Sequence, residues 1–185
     1  MHRSVRSMVL NCALTLVAAV PAAAQSNAIV ADLVADVADA EKKLVALANA
    51  IPEDKWDWRP GAGVRSVGEV FKHVAADNYL IPAALGHTPD ASTGIKGDDY
   101  KTAVAFEARK MDKAQTIAEL QKSFAFLKRS MESTQAAKLG DQVKLFGAPF
   151  TMQRALVLGT THLHEHLGQM IAYARSNNVK PPWSQ

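Results

Sequence analysis

Four stretches of this chain carry apolar residues at three- and four-residue steps, the spacing that lines one face of an α-helix. In the first, about Asn27 to Ala50, the stripe is Ile29, Leu33, Val37, Leu44 and Leu47. In the second, Ser66 to about Leu85, it includes Val70, His73, Val74 and Tyr79. Ile117, Leu120, Phe124, Leu127 and Met131 mark the third, from near Asp112 to near Lys138. Leu156, Leu163, Leu167, Met170 and Ile171 mark the fourth, from about Thr151 to Asn177. Four such stripes in one chain can hide their apolar faces only against each other. The expected fold class is therefore all-α, a four-helix bundle.

Local signals place the boundaries. Ser66 with Glu69 reads as a capping box, in which each side chain satisfies the other residue's free backbone N–H. Asp112 has Gln115 three residues on, and Pro52 and Gly86 stand where the first two helices should stop. The polar connection from His87 to about Met111 is long and has room for a short helix near Tyr100–Arg109. A connection of that length predicts a crossover between helices two and three. Gln142–Phe150 holds Gly147 and Pro149 and reads as a short hairpin or irregular link.

Residues 1–24 have the pattern of a secretory signal peptide. His2, Arg3 and Arg6 form a basic start, an apolar run follows, and Ala22-Ala23-Ala24 supplies small residues before a cut. The domain expected after cleavage is 25–185, in a secreted or periplasmic protein with no stable membrane anchor. Cleavage would remove two of the 21 basic residues and none of the 18 acidic ones, so the formal net charge of +3 would fall by two. It would also remove Cys12, the one cysteine. The mature chain would then have no disulfide, no thiolate nucleophile and no cysteine metal ligand. Hydrophobic residues make up 48% of the chain, which excludes intrinsic disorder. No Lys/Arg block with interleaved aromatics appears, so no nucleic-acid partner is expected.

The residues suited to chemistry sit in the fourth stripe, Thr160-Thr161-His162-Leu163-His164-Glu165-His166-Leu167-Gly168-Gln169. On a strand all three histidines would share a face. On a helix His162 and His166 share one and His164 points away, and the apolar spacing around them favours the helix. Two imidazoles one turn apart begin a metal site that still needs a ligand from another element. His73, inside helix two, is the natural candidate, with the loop residue His87 as the other choice. Three neutral histidines would leave coordination positions open, the pattern of a catalytic metal site.

Around these, Glu69 and Asp77 flank His73 at i−4 and i+4. Either could orient an imidazole or accept a proton, and Asp77 could instead reach the metal. Gln169 and Tyr173 return to the face of His162 and His166 and are candidate substrate-binding residues. His164 is expected to be exposed or at an interface. Trp56, Trp58 and Trp183 are expected to pack at the bundle ends, with Trp58 also able to line a pocket.

Several segments together resemble the DinB/YfiT-like superfamily. They are Trp56-Asp57-Trp58-Arg59-Pro60, Arg65-Ser66-Val67-Gly68-Glu69, His73 with Asp77-Asn78-Tyr79, the run His162–Gln169, and Tyr173 with Pro181-Pro182-Trp183. The resemblance implies a four-helix bundle with a crossover and a divalent metal held by His73, His162 and His166, with His164 as an extra histidine. It does not imply one reaction, because a fold hosts many chemistries.

The resulting expectation is a metal-dependent enzyme of hydrolase or thiol-dependent transferase type, with zinc or nickel as the ion. Its partner would be a small-molecule substrate or a thiol cosubstrate, and a homodimer is possible. The alternative is a non-catalytic metal-binding or oligomeric interaction module of the cell envelope.

Overall fold

Two capping boxes and one threonine cap decide where three of the bundle's long helices start. The computed structural model describes residues 22–184. The signal-peptide reading therefore falls almost entirely outside the described residues. Helix α1 spans Ala22–Ala50, opening a little before the expected Asn27. Helix α2 spans Val67–Ala84, and Ser66 and Glu69 form the reciprocal box at its start. It stops before Gly86, whose φ of +95° is the left-handed conformation that glycine adopts without strain. A short helix α3, Tyr100–Glu107, lies in the long connection and is capped by Asp99. Helix α4, Lys113–Glu132, begins with a second box formed by Asp112 and Gln115. Helix α5, Met152–Ser176, begins at the Thr151 cap.

Helix α4 ends about six residues before the expected Lys138. Ser133 and Thr134 both turn their hydroxyls onto the Ser130 carbonyl, at 3.0 Å each. Side-chain bonds of this kind compete with continuation of the helix. An antiparallel hairpin follows, with β1 over Gln142–Leu145 and β2 over Ala148–Thr151. Its two-residue turn is Phe146-Gly147, with φ of +52° and +78°. Both values are positive, as the hairpin turn that matches strand twist requires.

The hydrogen bonds between helices fix their directions. Lys128 pairs with Glu41, while Lys113 Nζ donates to the Ile51 carbonyl at 2.6 Å, so α1 and α4 run antiparallel. Lys72 reaches the Arg109 carbonyl just before α4, and Asn78 donates to Ser123 farther along, so α2 and α4 run parallel. Tyr173 bonds the Arg65 carbonyl while Gly159 lies beside Ile81, so α2 and α5 are antiparallel. Helix α4 packs between α1 and α2, and α5 closes the ring on the other side. A parallel α2–α4 pair requires the chain to travel back along the bundle between them. The crossover predicted from the length of this connection is present, and α3 is part of it.

The core runs the length of the bundle through Leu44, Leu47, Phe71, Phe124, Leu127 and Leu163. Trp56 is buried against Phe71 at its end, with ring centroids 5.5 Å apart. Gly68 makes room for it, since a Cβ there would stand 3.0 Å from the Trp56 ring. Trp58 stacks edge-on against Tyr173 at 5.2 Å. Trp183, expected to pack, is 40% exposed instead. A smaller apolar cluster of Ile81, Leu145 and Ala155 fastens the hairpin to α2 and α5. No helix among the described residues is long and apolar enough to cross a membrane.

Candidate metal centre

Helix α5 carries His162 and His166 one turn apart, and the antiparallel α2 presents His73 to both. Their Nε2 atoms converge. Those of His73 and His162 are 3.1 Å apart, and those of His162 and His166 are 3.0 Å apart. The three rings meet edge-on, with centroids 4.4 to 5.0 Å apart. His73 and His166 are buried and His162 is nearly so.

The outward nitrogens show which tautomers are present. His73 Nδ1 donates to Glu107 Oε1 at 2.8 Å. His166 Nδ1 donates to Gln169 Oε1 at 2.7 Å. Each acceptor holds the proton on Nδ1 and leaves Nε2 as a lone pair aimed at the cluster, as in metal-ligating histidines oriented by an outer partner. Glu107 is itself gripped by Arg65 through Nε at 3.2 Å and Nη2 at 3.1 Å. Burial works against the charge on Glu107. The hydrogen bond from His73 and the neighbouring Arg65 guanidinium outweigh it and hold the carboxyl below its usual range.

Asp77, one turn beyond His73, completes the cluster. Its Oδ2 lies 3.2 Å from His162 Nε2 and 3.8 Å from His73 Nε2. Burial is the main cause that pushes its carboxyl up, to about 6. Burial, then the neighbouring His166 and His73, pushes His162 down to about 3, so its ring is neutral at ordinary pH. Burial also lowers His166. Asp77 Oδ1 and His162 Nδ1 are buried without a hydrogen-bond partner among the described residues. Two imidazole lone pairs, a neutral third ring and a carboxylate thus face one point, with a buried acceptor left unsatisfied. Such a donor set is repulsive by itself and suits a cation. His73, His162 and His166 can hold a metal ion, each offering one ligand atom.

The site is open. A cleft of about 600 Å³ lies over it, lined by the three histidines and Asp77 together with Arg65, Glu165, Tyr100 and Phe146.

The other predicted residues fall elsewhere. Glu69 is taken up by its cap, accepting from Ser66 N at 2.7 Å, and by Arg59 at 3.2 Å. It does not reach the histidines. Gln169 and Tyr173 stand behind His166 and do not line the cleft: Gln169 Nε2 donates to the Tyr173 hydroxyl, which donates to the Arg65 carbonyl. They orient a ligand. His164 is exposed, with Nδ1 donating to the Thr160 carbonyl, and His87 lies outside the cluster. Sequence reasoning missed Glu107 and the cleft residues Tyr100, Phe146 and Glu165. The only local hint of Glu107 was the short helix expected near Tyr100–Arg109.

Fold and site together define a helical bundle with a three-histidine cluster able to hold a metal ion. Residues 37–170 match the family model of the DinB superfamily, and the chain belongs to that superfamily. Solved structures share the fold. A DinB-like protein from Bacillus cereus ATCC 10987 superposes with a TM-score of 0.63 at 14% identity, covering 79% of this chain and 91% of its own. A DinB-like protein from Bacillus subtilis gives 0.59 at 20% identity, covering 83% and 97%. An uncharacterised protein from Escherichia coli UTI89 gives 0.60 at 16% identity, covering 82% and 95%. No curated protein matches the chain.

Proposed function

We propose that the protein is a divalent-metal-dependent enzyme of the cell envelope that acts on a small molecule, by hydrolysis or by transfer of an external thiol. The observation that carries this reading is the convergence of three Nε2 atoms and the Asp77 carboxylate on the floor of an open cleft. An ion bound there, zinc or nickel, supplies a Lewis acid that activates a water or thiol at neutral pH.

The chain's own residues do the rest. Glu107 and Gln169 keep two imidazoles in the ligating tautomer. The bundle buries His73 and His166 and most of His162, and the bonds to Glu107 and Gln169 orient two of the rings, which pre-organises the site. Asp77 is the carboxylate beside the three histidines and serves as proton acceptor there, with Oδ2 3.2 Å from His162 Nε2 and Oδ1 without a hydrogen-bond partner among the described residues. Glu69, occupied as a cap, takes no part. Any thiol must come from a cosubstrate, because Cys12 is the one cysteine and precedes the expected cut. The envelope location rests on the pattern of residues 1–24.

The test is to load tag-free mature protein with zinc or nickel, count ions per chain, and screen ester, amide and thiol-transfer substrates with and without chelator. One ion per chain with chelator-sensitive turnover is expected. One ion without turnover favours a non-catalytic metal-binding module, and no stoichiometric ion overturns the proposal. Cell fractionation with N-terminal sequencing tests location, with Gln25 as the expected first residue.

A further inference from the structure

We propose that Tyr100 and Phe146 form an aromatic clamp at the mouth of the histidine cleft. The clamp takes the flat apolar part of a small ligand whose metal-ligating end reaches the histidines. This inference rests on the metal-centre reading above and names the class of ligand that the site accepts.

The two residues arrive from separate parts of the fold. Tyr100 opens α3 in the crossover, and Phe146 sits in the turn of the hairpin. Their rings meet edge-on, with centroids 5.8 Å apart and planes at 79°. Each residue is 45% exposed, so neither serves the core. Both line the 600 Å³ cleft over the histidines, and both also line a neighbouring cavity of about 720 Å³. The two hollows therefore meet at this pair. Leu80, Ala83 and Leu145 give the second cavity an apolar wall. A ligand lying across the edge-paired rings would have its head at the histidines and its tail against that wall. Both hollows fall in the size range of small-molecule sites.

Phe146 adds an independent observation. Its φ of +52° is one that a bulky side chain rarely adopts. A two-residue hairpin turn of this kind favours Asn, Asp or Gly at that position. The turn itself therefore gives no reason for phenylalanine there. Local backbone strain of this sort gathers where a side chain must be presented to a ligand.

Two hydroxamates make the test. Acetohydroxamate and benzohydroxamate share a metal-ligating head and differ in the flat ring. Their dissociation constants are measured on the metal-loaded protein, with metal content checked in the same samples. Stacking between aromatic residues predicts that benzohydroxamate binds about three- to tenfold tighter. Phe146→Asn and Tyr100→Ala should each reduce that preference and leave metal content and acetohydroxamate binding unchanged. Phe146→Asn should also raise the melting temperature, because asparagine suits the turn, so its loss of preference would not be a folding defect.

Equal binding of the two probes to a metal-loaded protein that binds acetohydroxamate overturns the clamp and leaves the metal centre standing. A preference that survives in both variants overturns it as well. A protein that loads no ion and binds neither probe overturns the metal centre, and the clamp with it.

Discussion

His73 Nδ1 lies 2.8 Å from Glu107 Oε1, a bond that joins the middle of α2 to the last residue of α3. It is the contact by which the crossover takes part in the metal centre. Glu107→Ala should therefore lower metal affinity about 10- to 100-fold, the usual effect of removing an outer partner of a ligating histidine. Chelator-competition titration measures it. An unchanged affinity would show that His73 does not need Glu107 to be held in place.

The three histidines of α5 separate by face. His162→Ala and His166→Ala should abolish stoichiometric metal binding, while His164→Ala should leave it intact, since His164 points away from the cluster. Metal content after chelation and reloading is the measurement. Equal content in all three variants would reject the ligand assignment.

Metal removal should cost stability. An ion that binds the folded chain alone adds about 2.7 kcal/mol when free metal is one hundred times its dissociation constant. Thermal melts with and without chelator should differ for the parent and for His164→Ala, and should coincide for His166→Ala.

Glu69 supplies a pH-dependent share of stability through its cap. The backbone hydrogen bond from Ser66, followed against some desolvation by Arg59, holds its carboxyl below the ordinary value. A depressed carboxylate contributes fully above its unfolded-state value, and the contribution is lost as pH falls through the folded one. Glu69→Gln should flatten the acid side of the stability–pH curve and leave metal content unchanged. Urea titrations between about pH 3 and 7 read it, across the carboxylate range.

Gly97→Ala tests how tightly the crossover lies on α2. A Cβ at Gly97 would stand 2.3 Å from the Ala83 carbonyl carbon, and backbone cannot yield as a side-chain tip can. The expected loss is about 1–3 kcal/mol, the range for overpacking. Denaturation with an unchanged m-value would place that loss in the folded state.

The sequence makes the helices legible where the signal is local. Ser66 with Glu69, Asp112 with Gln115, and Thr151 each announce a helix start within four residues, and all three stand. The end of α4 was less legible because Ser133 and Thr134 look compatible with helix until their hydroxyls are seen on the Ser130 carbonyl. At the site, the spacing of His162 and His166 fixes their shared face, and the need for a further ligand led to His73. Glu107, Arg65, Tyr100 and Phe146 were not legible as neighbours of the histidines. Their proximity depends on how the crossover and hairpin dock, and no periodicity within either segment encodes that. Glu69 illustrates the reverse error. It stands one turn from His73, yet its cap and Arg59 hold it elsewhere.

The parallel course of α2 and α4 has a consequence for engineering. A short loop between them could only join antiparallel neighbours, so trimming the linker would be incompatible with the observed pairing of α2 and α4. The same cut would delete the carboxylate behind His73 and the tyrosine at the cleft mouth. Connectivity and the site are thus inherited together. A permuted chain with new ends in the turn after α4 would leave both intact, whereas one opened between Gly97 and Glu107 would put the site at risk before any helix was lost.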